Sequence, residues 1–290
     1  MANATPPPTP PTCTIYDAYN ALQGGLLFLD ARAAPFPPVL GAQLFSTPAE
    51  ELEFPDAFTS ACLFCPQEGA NLPTLLAPLY ARWPKLQGVL RVLPASEAAA
   101  FAAAFPFLHP RPEGADAAEP FNGPFPSSVG PGVFLGSQWH SSTPQCLAAA
   151  RFSSLLSLLD TPSGCTPATA AALGLQHQTF PWVDEEAFPI LPDLPSVVGA
   201  IEAGRAGAGG VLVHCFMGAS RSAAAVCAWR LWRDGGEVED VHADLQRARC
   251  IVHINQGFLA QLRVWRACVL AAGGPGCPLA SIALPPPPWQ

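Results

Sequence analysis

The stretch from Gly209 to Gly235, GGVLVHCFMGASRSAAAVCAWRLWRDG, constrains this chain more than any other, because it dictates a strand, a tight loop and a helix in immediate succession. Val211, Leu212 and Val213 form the short apolar run of a strand buried in a parallel sheet. From Ser222 to Trp232 the Ala-rich residues are strong helix formers, and Gly235 can end that helix as a C′ residue. A strand that feeds directly into a helix belongs to a layered α/β architecture. The loop from Cys215 to Arg221 then sits at a helix N-terminus, where unpaired N–H groups and the positive end of the dipole attract anions and stabilise a thiolate.

The same rhythm runs through the rest of the chain. Short apolar runs at Leu26 to Leu29, Cys62 to Phe64 and Gly88 to Leu93 alternate with helical patterns such as Pro73 to Trp83. They predict a small parallel sheet. A second set follows at Val133 to Leu135, Phe152 to Leu159, Leu175 to Phe180 and Val211 to His214, after which the pattern turns helical. Phe258, Leu262, Trp265 and Val269 share one helical face and read as core. Between the sets, HPRPEGADAAEPFNGPFPSS from His109 to Ser128 breaks the periodicity with Pro, Gly and acidic residues. A length of 290 residues accommodates two domains. The expected organisation is a disordered Pro-rich tail over 1–13, an α/β domain over 14–108, a linker over 109–127, an α/β domain over 128–275 and a Pro-rich tail over 276–290. The second domain should have a central, mostly parallel sheet and C-terminal helices.

Composition narrows the partners. The net charge of −8, from 14 Lys and Arg against 22 Asp and Glu, leaves no basic stripe to displace counterions from nucleic acid or to hold an anionic membrane. No apolar run approaches the ~20 residues that span a bilayer, and the opening MANATPPPTPPT lacks the charged and apolar regions of a secretion signal. The expectation is a soluble protein of the cytoplasm, with the nucleus as a second location. The 10 Cys are scattered through a chain that is not small, so they read as reduced, mostly buried residues. Cys62 and Cys65 have metal-site spacing but no matching second pair, and the apolar Leu63 and Phe64 between them favour a strand interior.

In the Cys215 loop the residue types fit phosphoryl chemistry. A thiolate at Cys215 is a nucleophile for phosphorus. Arg221, six residues on, can grip two phosphate oxygens with its planar guanidinium. Gly218 lets the backbone turn so that the N–H groups of Phe216, Met217, Gly218, Ala219 and Ser220 face the pocket, making these residues and Arg221 the phosphate-binding set. Ser222 can donate a hydrogen bond to the sulfur when it leaves.

HCFMGASRS resembles the signature loop of cysteine-dependent protein tyrosine and dual-specificity phosphatases. The likeness extends over most of residues 128 to 270, from VGPGVFLGSQWHSS to NQGFLAQLRVW, with Ile254 where the family usually has Pro. It implies hydrolysis of phosphotyrosine and phosphoserine or phosphothreonine on a protein substrate through a phosphocysteine, with no cofactor and no metal. It also implies a general acid some thirty residues upstream of the nucleophile. Asp184, in FPWVDEEAFP, is the residue so placed, and Glu185 and Glu186 read as solvated neighbours. His214 takes the role of a ring that supports the loop by hydrogen bonds. His177, His242 and His253 have no motif partner and read as surface or core histidines. Cys227 and Cys250 are available to pair with Cys215 on oxidation. The uncharged Phe216, Met217 and Ala219 argue against polyphosphoinositide substrates, which relatives hold with a loop Lys, and no phosphotyrosine-recognition loop is evident. The alternatives are a phosphoprotein-binding scaffold with little turnover and a phosphatase of a non-protein ester.

Residues 14–108 resemble a rhodanese-like module, on LLFLDAR, ACLFC and GVLRVLPASEAAAFAAAFPFL, an order shared with MAP-kinase phosphatases. Cys65 falls where an active module has its nucleophile. The following PQEGAN offers no Arg and places Glu68 beside it, so a non-catalytic module is expected and sulfur transfer at Cys65 is disfavoured. No basic cluster surrounds Arg32, so kinase docking by this domain is unsupported.

Overall fold

A computed structural model describes residues 10–23, 27–30, 43–44, 61–64, 71–105 and 125–286. The chain divides into two compact units, residues 1–119 and 120–290.

In the first unit, strands β1 (Leu27–Asp30), β2 (Gln43–Leu44), β3 (Ala61–Phe64) and β4 (Leu90–Leu93) form a parallel sheet in the order β2-β1-β3-β4. Helix α1 (Ile15–Gln23) precedes β1, α2 (Leu72–Arg82) and α3 (Leu86–Val89) lie between β3 and β4, and α4 (Ala98–Ala104) follows β4. Leu63, Leu76, Leu79, Leu86, Leu90 and Val92 make its core. Gly88 and Val89, read from sequence as the start of a strand, instead close the single turn of α3, and the strand begins at Leu90. The expected disordered tail over 1–13 is corrected at its end. Pro11 accepts from the Val92 N–H through its carbonyl and Cys13 donates to the Val92 carbonyl, so the segment lies beside β4. A proline at a sheet edge gives up only its own donor, and its carbonyl still pairs. Cys62 lies inside β3, whereas Leu26, Arg32, Cys65 and Glu68 fall outside the described residues.

In the second unit the strands are β5 (Ser127–Gly130), β6 (Val133–Ser137), β7 (Ser154–Leu158), β8 (Gln176–Phe180) and β9 (Val211–Cys215), in the order β5-β6-β9-β7-β8. Only β5 is antiparallel, to β6. Every residue of β9 is buried, as its unbroken apolar run requires of a central parallel strand. Helices α5 (Gln138–Ser141), α6 (Pro144–Ala150), α7 (Pro167–Ala172) and α8 (Leu194–Arg205) supply the crossovers, and α9 (Arg221–Arg233), α10 (Val238–Ala248) and α11 (Gln256–Ala271) follow β9.

Helix α9 packs against α8, α10, α11 and β9, and its residues from Arg221 to Trp229 are all buried. The alanines at 223, 224, 225 and 228 let neighbours approach closely on every side. Phe258, Leu262, Trp265 and Val269 of α11 are buried, and the Trp265 indole donates to the Ala228 carbonyl at 3.0 Å. Two boundaries move outward. Phe125, Ser127 and Ser128 are buried, so the end of the expected linker belongs to this unit. Cys277 and Ile282, from the expected Pro-rich tail, join its core, and the Trp232 indole donates to the Cys277 carbonyl.

Candidate active site

Strand β9 ends at Cys215 and helix α9 begins at Arg221, so the loop between them is held at both ends by buried elements. Gly218 adopts a φ of +75°, and a Cβ there would meet the Gly136 carbonyl oxygen at 2.3 Å, so only glycine fits. The carbonyls of this loop are each held by a donor. Phe216 accepts from the Gln138 N–H and Ala219 from the His253 N–H. Met217 and Gly218 accept from Nη2 and Nε of a single side chain, Arg249, at 2.9 and 3.0 Å.

A peptide unit is planar with its C=O and N–H on opposite sides. Tying four successive carbonyls therefore aims the N–H groups of Met217, Gly218, Ala219 and Ser220 the opposite way. The Gly218 N–H reaches the Cys215 sulfur at 3.2 Å, which fixes that direction as the interior of the loop. The result is a concave nest of donors around a buried sulfur. The Ser222 hydroxyl also donates to the sulfur, at 3.2 Å.

Arg221 is buried. Its Nη1 donates to the Trp182 carbonyl at 3.1 Å and to Asp160 at 3.3 Å, which fixes the plane of the guanidinium. Its Nε is buried, has no hydrogen-bond acceptor among the described residues and lies 3.8 Å from Asp184 Oδ2. A phosphoryl oxygen gives such a donor the partner it lacks.

Asp184 Oδ1 accepts from the Ser220 hydroxyl at 2.6 Å and from Asn255 Nδ2 at 2.9 Å. Asn255 also caps α11, its Oδ1 accepting the Phe258 N–H at 2.8 Å. With Oδ1 doubly bound, Oδ2 is the oxygen on the Arg221 side. Behind it, Gln261 accepts the N–H groups of Ile190 and Leu191 and donates to the Phe188 carbonyl. At Gly257 an added Cβ would lie 1.9 Å from the Glu186 carbonyl oxygen, so the loop that carries Asp184 rests on the first turn of α11 in backbone contact.

Every residue assigned from sequence to catalysis or phosphate binding lies in this arrangement. His214 is fully buried, its Nδ1 3.3 Å from the Cys215 carbonyl and its Nε2 2.6 Å from Ser157 Oγ. Burial lowers its pKa to about 4. Phe216 and Met217, 61% and 59% exposed, flank the mouth. Glu185 and Glu186 are exposed. Cys227 sits in the buried middle of α9, where desolvation pushes its thiol up to about 12, and Cys250 is exposed. His242 lies on α10 and His253 on the segment before α11.

Sequence reasoning did not single out Asp160, Arg249, the Trp182 carbonyl or Asn255 as parts of the site. Arg249 had a usable signal, since it stands among the few charged residues near the NQGF segment. It also left His177 without a partner, whereas His177 Nε2 is 2.8 Å from Ser157 Oγ.

Comparison with known proteins finds relatives over this part of the chain. Residues 133–268 match the family model described as dual specificity phosphatase, catalytic domain. Protein phosphatase Slingshot homolog 3 of Mus musculus is 34% identical over 146 residues, which are 50% of this chain and 22% of that protein. Dual specificity protein phosphatase 12 of Rattus norvegicus is 32% identical over 139 residues, 48% of this chain and 40% of that one. The chain thus spans less than half the length of these relatives. Among solved structures, the Yvh1 phosphatase domain from Chaetomium thermophilum is 26% identical, covering 49% of this chain and 93% of that one at a TM-score of 0.43. The Cys215 loop, Arg221 and Asp184 all lie inside the matched span, and over residues 133–268 the chain is similar to the catalytic domain of dual-specificity phosphatases.

Proposed function

We propose that the chain is a protein phosphatase that hydrolyses phosphotyrosine and phosphoserine or phosphothreonine through a phosphocysteine. The observation that carries this reading is the convergence on one sulfur of the Gly218 N–H, the Ser222 hydroxyl and the loop nest, with Arg221 and Asp184 paired beside it.

The bound phosphoryl group takes hydrogen bonds from the nest and from Arg221, which stabilise the charge that grows on its equatorial oxygens. The Cys215 thiolate attacks phosphorus and a P–S bond forms. The ester P–O bond breaks, and the leaving oxygen takes the Asp184 proton. Asp184, now a carboxylate, accepts a proton from water as that water attacks phosphorus. The P–S bond breaks, the thiolate is received by the Ser222 and Gly218 donors, and inorganic phosphate leaves.

Residues around the nest bear on the substrate. Uncharged Phe216, Met217 and Ala219 provide no cation for additional phosphates, which supports a protein over a polyphosphoinositide. The retained Cys215, Arg221 and Asp184 support turnover over a scaffold role. For residues 14–108 we keep the reading of a non-catalytic rhodanese-like module, supported by a parallel sheet with intervening helices. Cytoplasm, with the nucleus second, remains our proposed location.

The test is hydrolysis of an aryl phosphate and of phosphopeptides carrying each phosphoresidue. The wild type is expected to turn over all of them, and Asp184→Ala to lose about 10² to 10⁴-fold in kcat. Turnover that survives Cys215→Ser would overturn the mechanism.

A further inference from the structure

A chain of three side chains crosses the sheet from its edge to the nucleophile. His177 lies on the edge strand β8, Ser157 on β7 and His214 on the central β9, where Ser157 and His214 are register partners. Ser157 Oγ is 2.8 Å from His177 Nε2 and 2.6 Å from His214 Nε2, and Ser157 is fully buried.

Donor accounting orients the chain. His214 Nδ1 faces the Cys215 carbonyl, which can only accept, so Nδ1 carries the hydrogen. Burial keeps the ring neutral, with a pKa of about 4, and Nε2 is then a lone pair. Ser157 must donate to it. Its hydroxyl has one hydrogen, so toward His177 it can only accept, and His177 Nε2 must be the donor. The other oxygens near that nitrogen, Ser163 Oγ at 3.4 Å and Thr179 Oγ1 at 3.5 Å, are farther away.

We propose that His177 is a positioning residue for the nucleophile: by donating to Ser157 it commits the Ser157 hydroxyl to His214, which locks the His214 tautomer that grips the Cys215 carbonyl. Without that donor the Ser157 hydroxyl can rotate, the His214 ring loses its fixed partner, and the strand end that carries the sulfur loosens against the nest.

The experiment compares His177→Phe, which has no donor, with His177→Gln, whose amide N–H can occupy the place of Nε2–H. Two readouts are taken: kcat/KM for an aryl phosphate against pH, and the rate at which iodoacetamide alkylates Cys215 against pH, followed by peptide mass. The second needs no turnover, so it tests this inference even if the proposed phosphatase reading, on which the first rests, fails. His177→Phe is expected to lower kcat/KM about tenfold and to move the alkylation profile to higher pH, with His177→Gln restoring both. Ser157→Ala, which removes the link and keeps His177, is expected to match His177→Phe, and it stands in if the Phe variant does not fold. Profiles unchanged in His177→Phe or in Ser157→Ala, or an equal defect in the Phe and Gln variants, would overturn the proposal.

Discussion

Two helices of this molecule start just beyond the end of a parallel strand, and they treat their first turns in opposite ways. Ahead of α2, Asn71 turns its side chain inward to accept the Thr74 N–H, and Pro73 has no N–H to satisfy. Ahead of α9, Ser220 gives no such cap. Its hydroxyl goes to Asp184, and the first intrahelical bond runs only from the Ala224 N–H to the Ser220 carbonyl. The N–H groups before it keep their capacity for an outside anion. A helix N-terminus is thus an anion site or a finished end according to where its capping side chain spends its hydrogen bond.

The largest expected contrast lies in the two cysteines that end or approach these helices. Cys215→Ser should cut kcat/KM by roughly 10⁴-fold or more, since a serine oxygen is a far weaker nucleophile than a cysteine sulfur. Cys62→Ser, in β3, should leave the rate unchanged. Equal losses, measured with an aryl phosphate, would erase the distinction between the two regions.

Acid should separate the units next. Five of the six histidines lie in the second unit, and two of these, His140 and His214, are held by burial at a pKa of about 4. Their unfolded value is about 6.5, so between those limits the unfolded chain binds more protons and stability falls as pH drops. The loss is on the order of 3 kcal/mol per ring, complete below about pH 4. Urea unfolding from pH 7.5 to 4, followed by tryptophan emission, should show it. Replacing His140 with Gln should flatten part of the slope.

Arg249 sharpens the contrast at the nest itself. Arg249→Ala releases two carbonyls and lets their peptide planes turn, for an expected loss of about 10 to 50-fold in kcat/KM, mostly in KM. Arg249→Lys should recover only part, because one ammonium cannot reproduce the two-pronged contact. The smallest effects compare the caps. Ser220→Ala should lower kcat up to about tenfold by freeing Asp184, with little effect on stability. Asn71→Ala should cost about 1 kcal/mol in unfolding free energy and nothing in rate.

What could be read beforehand follows the same division. The Cys215 loop was legible because strand, glycine, arginine and helix are contiguous, and each has a narrow set of tolerated residues. Phe258, Leu262, Trp265 and Val269 were legible through their period. By contrast, β2 at Gln43–Leu44 and β5 at Ser127–Gly130 carry no apolar run, since an edge strand can be polar. Asp160, His177 and Arg249 come from three separate segments, and only folding brings each of them to its partner at Arg221, Ser157 or the Cys215 loop. Their residue types alone are compatible with any surface. Cys277 and Ile282 were hidden by the prolines around them, although two apolar side chains suffice to dock a short segment on a core.

The close seating of Gly257 beneath Glu186 has a kinetic consequence. A carboxylate whose loop lies flush on a helix has no swing to complete before each turnover. Diffusive drag on a hinge then cannot govern the rate. Thickening the buffer with sucrose should leave kcat for an aryl phosphate where it stands in dilute solution.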